Sequence, residues 1–332
     1  MKLELIAFTQ RGNDLAQHLA QSLSNHGHQA AYTRDGLKAV EWAARAFSRS
    51  DGLIFVGATG IAVRSIAPHL CHKSTDPAVV VVDEGGQFVI PILSGHLGGA
   101  NDLAREIAAL IGAVPVITTA TDVNGVFAVD QWARRQGLIV CNPEQIRSVS
   151  SRLLAGETVG FFSAWPISGE LPAGLHPASR EDAEVVLDLH RPDGDALWLY
   201  PKGIRVGMGC RRGTPAAALR ALLEEVLTEE GIPQNVVCAL CTIDLKKDEG
   251  GLQELAGELG VPLTTYSAQE LAQVPGDFTP SPFVEQVTGV DNVCERAALA
   301  CGGALLRRKT AKNGATIALA LEELHLTWEE HG

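Results

Sequence analysis

The sequence has no long apolar run and no excess of basic residues, and each absence excludes a class of protein. No apolar run approaches the roughly 18 residues that suggest a membrane span. The first residues, MKLELIAFTQRGN, lack a small-residue cleavage site and are interpreted as a first β-strand rather than a signal peptide. A formal net charge of −12 disfavours a general nucleic-acid or acidic-membrane surface. We therefore expect a cytosolic (cytoplasmic) protein without membrane or nucleic-acid partners.

Several familiar motifs are also missing. The seven cysteines are odd in number and scattered, which argues against a disulfide framework. No G-x-x-x-x-G-K-[ST] and no G-x-G-x-x-G with a matching acid is present, so a nucleotide-binding α/β protein is the weaker reading. No G-x-S-x-G elbow exists, which disfavours a Ser-His-Asp hydrolase.

Strands alternate with helices along most of the 332 residues, which predicts an α/β fold. The pattern over 1–135 predicts a layered α/β N-terminal domain. Residues 136–200 change character around a connection rich in proline and glycine, and we interpret them as a small middle module. A strand at IRVGMGC then opens a separate α/β C-terminal domain over 201–332.

Capping and turn residues predict where several elements begin and end. Asn101 is the expected N-cap of a helix over 102–111. The Gly-Gly pair within AVVVVDEGGQFVIPIL predicts a hairpin. The other predicted signals are an N-cap at Thr214, a capping box of Ser267 with Glu270, and a hairpin turn at Asn313-Gly314.

Three loops share one design, in which a strand runs into glycines and then into a helix. They are VGATGIAVR at 56–64, LSGHLGGAN at 93–101 and GMGCRRGTP at 207–215. A helix N-terminus offers unpaired N–H groups and partial positive charge to a phosphate or carboxylate, and glycines let a ligand approach the backbone. Taken singly, each loop is equally an ordinary tight turn. Three in one chain, one of them carrying Arg211 and Arg212, favour an anionic ligand.

His96, between two glycine pairs, is the best candidate for proton transfer because an unperturbed imidazole titrates near pH ~6.5. The alternative is a structural or capping histidine. Asp83 and Glu84 end a very apolar strand, a position that often aims a side chain into a cleft. Lys73 lies in a nearby polar loop. Each of these three residues can equally be a solvated turn residue.

Neither the cysteine nor the histidine pattern predicts a metal centre. Cys238 and Cys241 form C-x-x-C in a predicted strand, where positions i and i+3 point to opposite faces. We therefore favour small buried side chains over a metal or redox role. His69 and His72 flank Cys71, but no distant third ligand is evident, so a metal site here is the weaker reading.

Six segments carry a resemblance to a known family: GATGIAVRSIAPHL, KSTDPAVVVVDEGGQFVIPILSGHLGGAN, VITTATD, GMGCRRGTP, IDLKKDEGGLQELA and SPFVEQVTGVDNVCERAAL. Together they resemble the cobalt-precorrin-5A hydrolases of anaerobic cobalamin (vitamin B12) biosynthesis, the CbiG family. The resemblance is strong in 50–125 and 203–320 and weak in 1–50 and 136–200. The part from Gly207 onward also resembles a free-standing protein of the aerobic pathway. The N-terminal motifs in the same chain point to the hydrolase.

The resemblance implies a cobalt-containing tetrapyrrole substrate with acetate and propionate arms. Water opens a δ-lactone between the ring A acetate and the methylated meso carbon. That carbon then leaves with its methyl group as acetaldehyde, which completes corrin ring contraction and gives cobalt-precorrin-5B. Cobalt arrives in the substrate, so we expect no cofactor and no metal held by the protein, and transient contact with neighbouring pathway enzymes. The alternative is a non-catalytic carrier of tetrapyrrole intermediates.

Chemistry rather than resemblance assigns roles to residues. His96 is expected to act as the base, with Glu84 and Asp83 as the next candidates, and Lys73 to hold a carboxylate arm. Backbone N–H groups at Gly98 and Gly99, or alternatively at Gly57–Gly60, are expected to hold the oxyanion. The expected substrate-binding residues are Gly57, Thr59, Gly60, Arg64, Lys73, Ser94, Gly95, Gly98, Gly99, Asn101, Cys210, Arg211, Arg212, Gly213 and Thr214.

Overall fold

A computed structural model describes residues 1–34, 38–72, 75–192 and 194–329 of the chain. These residues divide into two compact units. The first unit comprises 1–135, 142–159 and 172–176, and the second comprises 136–141, 160–171 and 177–332. Residues 136–200, predicted as a middle module, contribute segments to both units. No helix in the described ranges combines the length and apolarity needed to cross a membrane.

The first unit is built on a six-stranded sheet in the order β2-β1-β3-β4-β5-β6. Its strands are β1 (Lys2–Ala7), β2 (Gln29–Thr33), β3 (Gly52–Val56), β4 (Ala78–Val82), β5 (Phe88–Leu93) and β6 (Val114–Pro115). Its helices are α1 (Gln10–Asn25), α2 (Ala39–Ala46), α3 (Thr59–Ile66), α4 (Ala100–Ile111), α5 (Ala120–Val123), α6 (Val129–Arg135) and α7 (Ile146–Leu154). The first four strands are mutually parallel, whereas β5 runs antiparallel to β4.

The apolar strands of this sheet bury side chains on both faces, as expected where helices cover a parallel sheet on both sides. In β4, Val80 and Val82 join the core beneath α1 and α4. Val79 and Val81 alternate to the other face, where they pack with Trp42 of α2. Because helices cover both faces of the sheet, every residue of β4 is apolar and no polar residue alternates with the apolar ones.

The other elements lie mostly in the second unit. Their strands are β7 (Leu138–Val140), β8 (Val159–Ser163), β9 (Ile167–Ser168), β10 (Leu175–Pro177), β11 (Val185–Leu187), β12 (Leu197–Pro201), β13 (Ile204–Cys210), β14 (Val237–Ile243), β15 (Leu263–Tyr266), β16 (Ala304–Lys312), β17 (Ala315–Leu321) and β18 (Leu326–Thr327). Their helices are α8 (Ala216–Glu229), α9 (Gly250–Leu259), α10 (Ala268–Gln273), α11 (Pro282–Thr288) and α12 (Cys294–Leu299).

The main sheet of the second unit has the order β15-β14-β13-β17-β16. Strands β13, β14 and β15 are parallel, and the β16–β17 hairpin adds antiparallel strands beside β13. Val206 and Met208 of β13 pack in the core with Leu219 of α8. Gly207 faces the opposite way, where a Cβ would overlap the carbonyl of Cys294 at the start of α12. The glycine therefore allows α12 to lie directly on β13.

The predicted α/β class is confirmed, together with most of the element signals. The hairpin turn at Asn313-Gly314 has φ values of 51° and 81°, the left-handed pair that suits a two-residue hairpin loop. The β4–β5 hairpin and the Ser267–Glu270 capping box are also present. Two predicted N-caps, at Asn101 and Thr214, are wrong, and their actual roles emerge with the candidate sites.

Candidate functional site

His96 lies in a buried polar cluster at the amino end of α4. Its Nε2 is 3.0 Å from Oδ2 of Asp122, and its Nδ1 is 3.2 Å from Oδ1 of Asp130. The hydroxyl of Thr121 is 3.3 Å from the same Nε2. Only 13% of the imidazole side chain is exposed. We call His96, Asp122 and Asp130 the His96 triad; the loop after β5, α5 and α6 each supply one member.

Asn101 and Arg105 hold Asp122 in place. The Asn101 amide donates to Oδ2 of Asp122 and to the hydroxyl of Thr119, both at 3.0 Å. Arg105 donates to the other carboxylate oxygen of Asp122. The predicted N-cap role of Asn101 is wrong because Gly99, with φ 84°, occupies the N-cap position and α4 begins at Ala100, two residues earlier than predicted. The buried Asn101 side chain serves the polar cluster instead.

A second carboxylate ties the start of α4 to α6. Asp102 accepts hydrogen bonds from Arg134 and, at 2.7 Å, from Arg135. Arg105 lies 3.2 Å away, and the amide of Gln131 donates at 3.0 Å. These ion pairs join the first turn of α4 to α6, the helix that supplies Asp130 to the His96 triad.

The protonation state of His96 follows from its two carboxylate neighbours. Burial disfavours the imidazolium, but Asp130 and Asp122 outweigh burial and raise the pKa of His96 to about 9. Burial acts against the charge of Asp122 as well, yet His96 and Arg105 hold the pKa of that carboxyl below its usual range. The two carboxylates therefore favour the imidazolium at neutral pH, above the unperturbed value of ~6.5, and the role of His96 as a base stays a prediction.

Internal packing accounts for the glycines around His96. A Cβ on Gly95 would lie 2.8 Å from Oδ1 of Asn101, and one on Gly98 would overlap Ser94. A Cβ on Gly99 would lie 2.7 Å from a guanidinium of α6. The loop needs these glycines in order to fold onto itself and onto α4, and its contact with a substrate stays a prediction.

Strand direction separates the first two glycine loops. β3 ends at Val56, opposite Val82, so Gly57 follows at the carboxyl edge of the parallel strands. β5 runs the other way and ends at Leu93, close to Val79. The loop of the His96 triad therefore leaves the opposite edge of the sheet. With about 3.3 Å per strand residue, the strand ends from which the loops leave are about 10 Å apart along the sheet, and oxyanion binding by either loop stays a prediction.

The two acidic candidates lie at the same edge as Gly57, away from the His96 triad. Asp83 accepts N–H groups from Gly85, Gln87 and Phe88 at 2.9, 2.7 and 2.5 Å. Its carboxylate thereby closes the turn between β4 and β5. Glu84 is exposed on that turn. The structure does not place either acid beside His96, and their catalytic roles stay predictions.

Three further predicted residues that the structure describes belong to the first unit. Thr59 and Gly60 open α3, and Arg64 lies on its exposed side. A Cβ on Gly60 would meet no atom within 4 Å, so packing does not require that glycine. Lys73 lies outside the described residues. Binding by these residues stays a prediction.

In the second unit, the loop after β13 borders a cavity of about 700 Å³. Cys210, Arg211 and Arg212 line it, as do α11 and the β16–β17 hairpin. No acidic side chain among the described residues lines it. We call it the cationic cavity; its lining cations are Arg211, Arg212, Lys246, Lys309 and Lys312.

Two residues of the same loop set its shape without lining the cavity. The N–H of Gly213 donates to the carboxylate of Glu249 at 2.9 Å. The hydroxyl of Thr214 donates to the carbonyl of Arg211 at 2.8 Å. Thr214 is therefore not the predicted N-cap, because Pro215 takes that position and the threonine hydroxyl closes the loop instead.

Sequence reasoning missed the other walls of the cationic cavity. Lys309 belongs to a segment, 301–314, that contains four cations and no acid, and this imbalance was the available signal. Phe283 and Val287 are spaced i, i+4 on α11 and are 75% and 60% exposed. Their pairing with the cations depends on tertiary structure, so no local pattern reveals it.

The cysteines and the paired histidines form no metal cluster. All seven thiols are free, with Cys241 buried in β14 and Cys238 half-buried three residues earlier. Within the described ranges, no group of three histidine, cysteine or acidic side chains is placed to hold a metal ion. His69 and His72 therefore have no third ligand there.

Comparison with known proteins places the chain in one class, the cobalamin-biosynthesis proteins. Three regions match family descriptions: Cobalamin synthesis G N-terminal at 41–122, Cobalamin biosynthesis central region at 127–201 and Cobalamin synthesis G C-terminus at 204–320. A putative cobalamin biosynthesis protein G homolog from Sulfolobus solfataricus aligns over 97% of both chains, with 22% identity and a TM-score of 0.43.

Within that class the relatives are more specific. The cobalt-precorrin-5A hydrolase of Priestia megaterium is 40% identical over 83% of this chain and 79% of its own length. The cobalt-precorrin-5A hydrolase of Salmonella typhimurium is 38% identical over 84% of each chain. The chain belongs to the CbiG family of cobalt-precorrin-5A hydrolases.

Proposed function

We propose that this protein hydrolyses cobalt-precorrin-5A and releases acetaldehyde to form cobalt-precorrin-5B. The observation that carries the proposal is its 38–40% identity, over more than four fifths of the chain, to relatives named for this activity. The substrate brings its own cobalt, so we propose that the enzyme needs no cofactor. We also propose a cytoplasmic location and transient contact with the enzymes that make and consume these intermediates.

The reaction has two parts with different demands. Water must attack the lactone carbonyl, which requires a base for the water proton and donors for the tetrahedral oxyanion. The opened arm becomes a carboxylate, and the meso carbon keeps a hydroxyl and its methyl group. Loss of the hydroxyl proton then expels acetaldehyde, while the electrons of the broken carbon–carbon bond stay on the cobalt macrocycle.

Within this reaction His96 acts as a positioning residue rather than as the general base. Both of its nitrogens face carboxylates, which raise the pKa of the ring to about 9 and favour its charged form at neutral pH. The imidazolium fixes Asp122 and Asp130, and with them the amino end of α4. If the free imidazole were the base, activity would require the small neutral fraction that exists below pH ~9.

An anaerobic assay of acetaldehyde release tests both the reaction and this role. Wild-type protein with cobalt-precorrin-5A should release acetaldehyde, and the rate should fall above a pH of about 9 as His96 loses its proton. His96→Asn should lower the rate about tenfold or more at neutral pH and remove this alkaline loss. A rate that instead climbs up to pH about 9 would identify His96 as the base.

Lys202→Gln is the matched control. Lys202 is exposed in the turn that precedes β13, and no ion pair involves it among the described residues. Its pH–rate profile should match the wild type. A wild-type protein that binds the macrocycle without releasing acetaldehyde would refute the hydrolase and favour a carrier.

A further inference from the structure

The cations of the cationic cavity differ in whether they are already neutralised. Lys246 pairs with Glu249 at 3.0 Å, and Lys312 pairs with Glu225 at 2.6 Å. In the described parts of the chain, no ion pair involves the side chains of the other three lining cations, Arg211, Arg212 and Lys309. Three cations without an ion pair around one cavity are unexpected in a chain with a net charge of −12.

Backbone hydrogen bonds hold the segments that carry Arg211 and Lys309. The N–H of Arg211 donates to the carbonyl of Gly314 at 3.0 Å, and the arginine stem packs against that glycine. Lys309 is half-buried, and its backbone N–H donates to the buried Glu295 at 2.6 Å. Lys309 therefore lies on the β16–β17 hairpin, and the loop that carries Arg211 and Arg212 is hydrogen-bonded to the turn of the same hairpin.

The opposite wall is apolar. α11 buries none of its own side chains, yet it turns Phe283 and Val287 into the cavity. Ile243 and Val293 continue this wall. A solvated helix gains nothing from two large exposed apolar side chains, so their position indicates a ligand with an apolar face.

We infer that the cationic cavity binds an amphiphilic polycarboxylate, whose carboxylates pair with Arg211, Arg212 and Lys309 while a flat apolar face covers Phe283 and Val287. Guanidinium–carboxylate pairs give such a ligand both charge and orientation. A cavity of about 700 Å³ is large enough to take part of a macrocycle with its acid arms. The ligand's identity as the tetrapyrrole substrate rests on the proposed function, whereas the pairing of charge with an apolar face does not.

Binding of two stable corrinoids tests the inference without catalysis. Dicyano-cobyrinic acid carries free carboxylates, and its heptamethyl ester presents the same macrocycle without charge. Wild-type protein should bind the acid about tenfold or more tightly than the ester, and added salt should weaken only binding of the acid. Absorbance or calorimetric titration measures both affinities.

Matched variants separate the two walls. Arg211→Gln with Arg212→Gln, and Lys309→Gln, should each weaken acid binding about tenfold or more and leave ester binding unchanged. Phe283→Ser with Val287→Ser should weaken binding of both ligands, because α11 is outside the core and the variant should still fold. Lys202→Gln, at the far end of β13, should bind both as the wild type does.

Three results would overturn the inference: no binding of the acid by the wild type, equal affinity for acid and ester, or acid binding that survives loss of all three cations. The hydrolase proposal stands or falls separately. Acetaldehyde release with unchanged acid binding in the variants would refute the cavity and keep the reaction. Acid binding that is weakened in the variants, without acetaldehyde release by the wild type, would support the cavity and refute the hydrolase.

Discussion

Each nitrogen of the His96 ring faces a carboxylate, and this arrangement explains the residue type. A neutral imidazole cannot donate from both nitrogens, whereas an imidazolium can meet Asp122 and Asp130 together. Asn101 and Arg105 add further donors to Asp122. A lysine would reach only one side, and a glutamine would remove the positive charge that His96 places between the two carboxylates.

The His96 triad predicts how stability depends on pH. Because the folded-state pKa of His96 is raised to about 9, its contribution is complete below the unfolded value of ~6.5 and is lost as pH rises through 9. The loss is on the order of 3 kcal/mol at most. Between these pH values, the free energy of unfolding measured by urea denaturation should fall with rising pH in the wild type relative to His96→Asn, whose side chain does not titrate.

The contribution of Asp122 to stability changes with pH in the opposite direction, being lost at low rather than at high pH. The pKa of Asp122 is lowered, so its contribution is present above the unfolded value of ~3.9 and lost as pH falls through the folded value. Asp122→Asn should have a lower free energy of unfolding than the wild type at neutral pH. As the pH is lowered, its free energy of unfolding should fall less steeply than that of the wild type. An equally steep fall in the variant would contradict the assigned ion pairs.

At the residue scale, sequence alone singled out His96 but not its carboxylate partners, and its role in the reaction stays a prediction. The glycines flanking His96 marked an unusual loop. Its partner Asp122 lies 26 positions downstream in the chain, and no local spacing links the two. The pKa of His96 depends on those distant carboxylates, so it was not available from the sequence.

At the element scale, the β4–β5 hairpin decides which loops can meet. Its turn was predictable from the glycines, but the consequence was missed: reversal of β5 sends the following loop to the other edge of the sheet. The two similar loops of the first unit therefore leave its sheet at opposite edges. The sequence of a loop shows its glycines, but the edge of the sheet at which the loop lies depends on the direction of the preceding strand.

The glycines of two loops should respond differently to alanine. Gly98→Ala should cost about 2 kcal/mol or more, because its Cβ would overlap Ser94. Gly60→Ala meets no atom within 4 Å and lies in the first turn of α3, so stability should hold or rise by about 0.5–1 kcal/mol. Thermal and urea unfolding of both variants check this; equal losses would contradict the packing account.

At the scale of the whole molecule, charge is unevenly distributed. The chain carries 39 acidic and 27 basic residues, yet the cationic cavity has no acidic lining side chain in the part that the structure describes. Two segments, 200–220 and 301–314, contain several Lys and Arg residues and no acid, which is visible in the sequence. Their convergence on one cavity is not, because it depends on β17 pairing with both β13 and β16.

This distribution predicts a kinetic effect of salt. Raising ionic strength from about 0.05 to 0.5 M should increase KM for the polycarboxylate substrate several-fold, because exposed cations are screened. It should leave kcat nearly unchanged, since the buried His96 triad is screened far less. A loss confined to kcat would contradict a binding role for the cavity.

The central claim is hydrolysis of a lactone followed by loss of acetaldehyde, and one single-turnover experiment in ¹⁸O-labelled water tests it most directly. Mass spectrometry of the macrocycle should show one solvent oxygen in the new carboxylate, with one equivalent of acetaldehyde trapped. Macrocycle recovered unchanged, without acetaldehyde, would contradict the account.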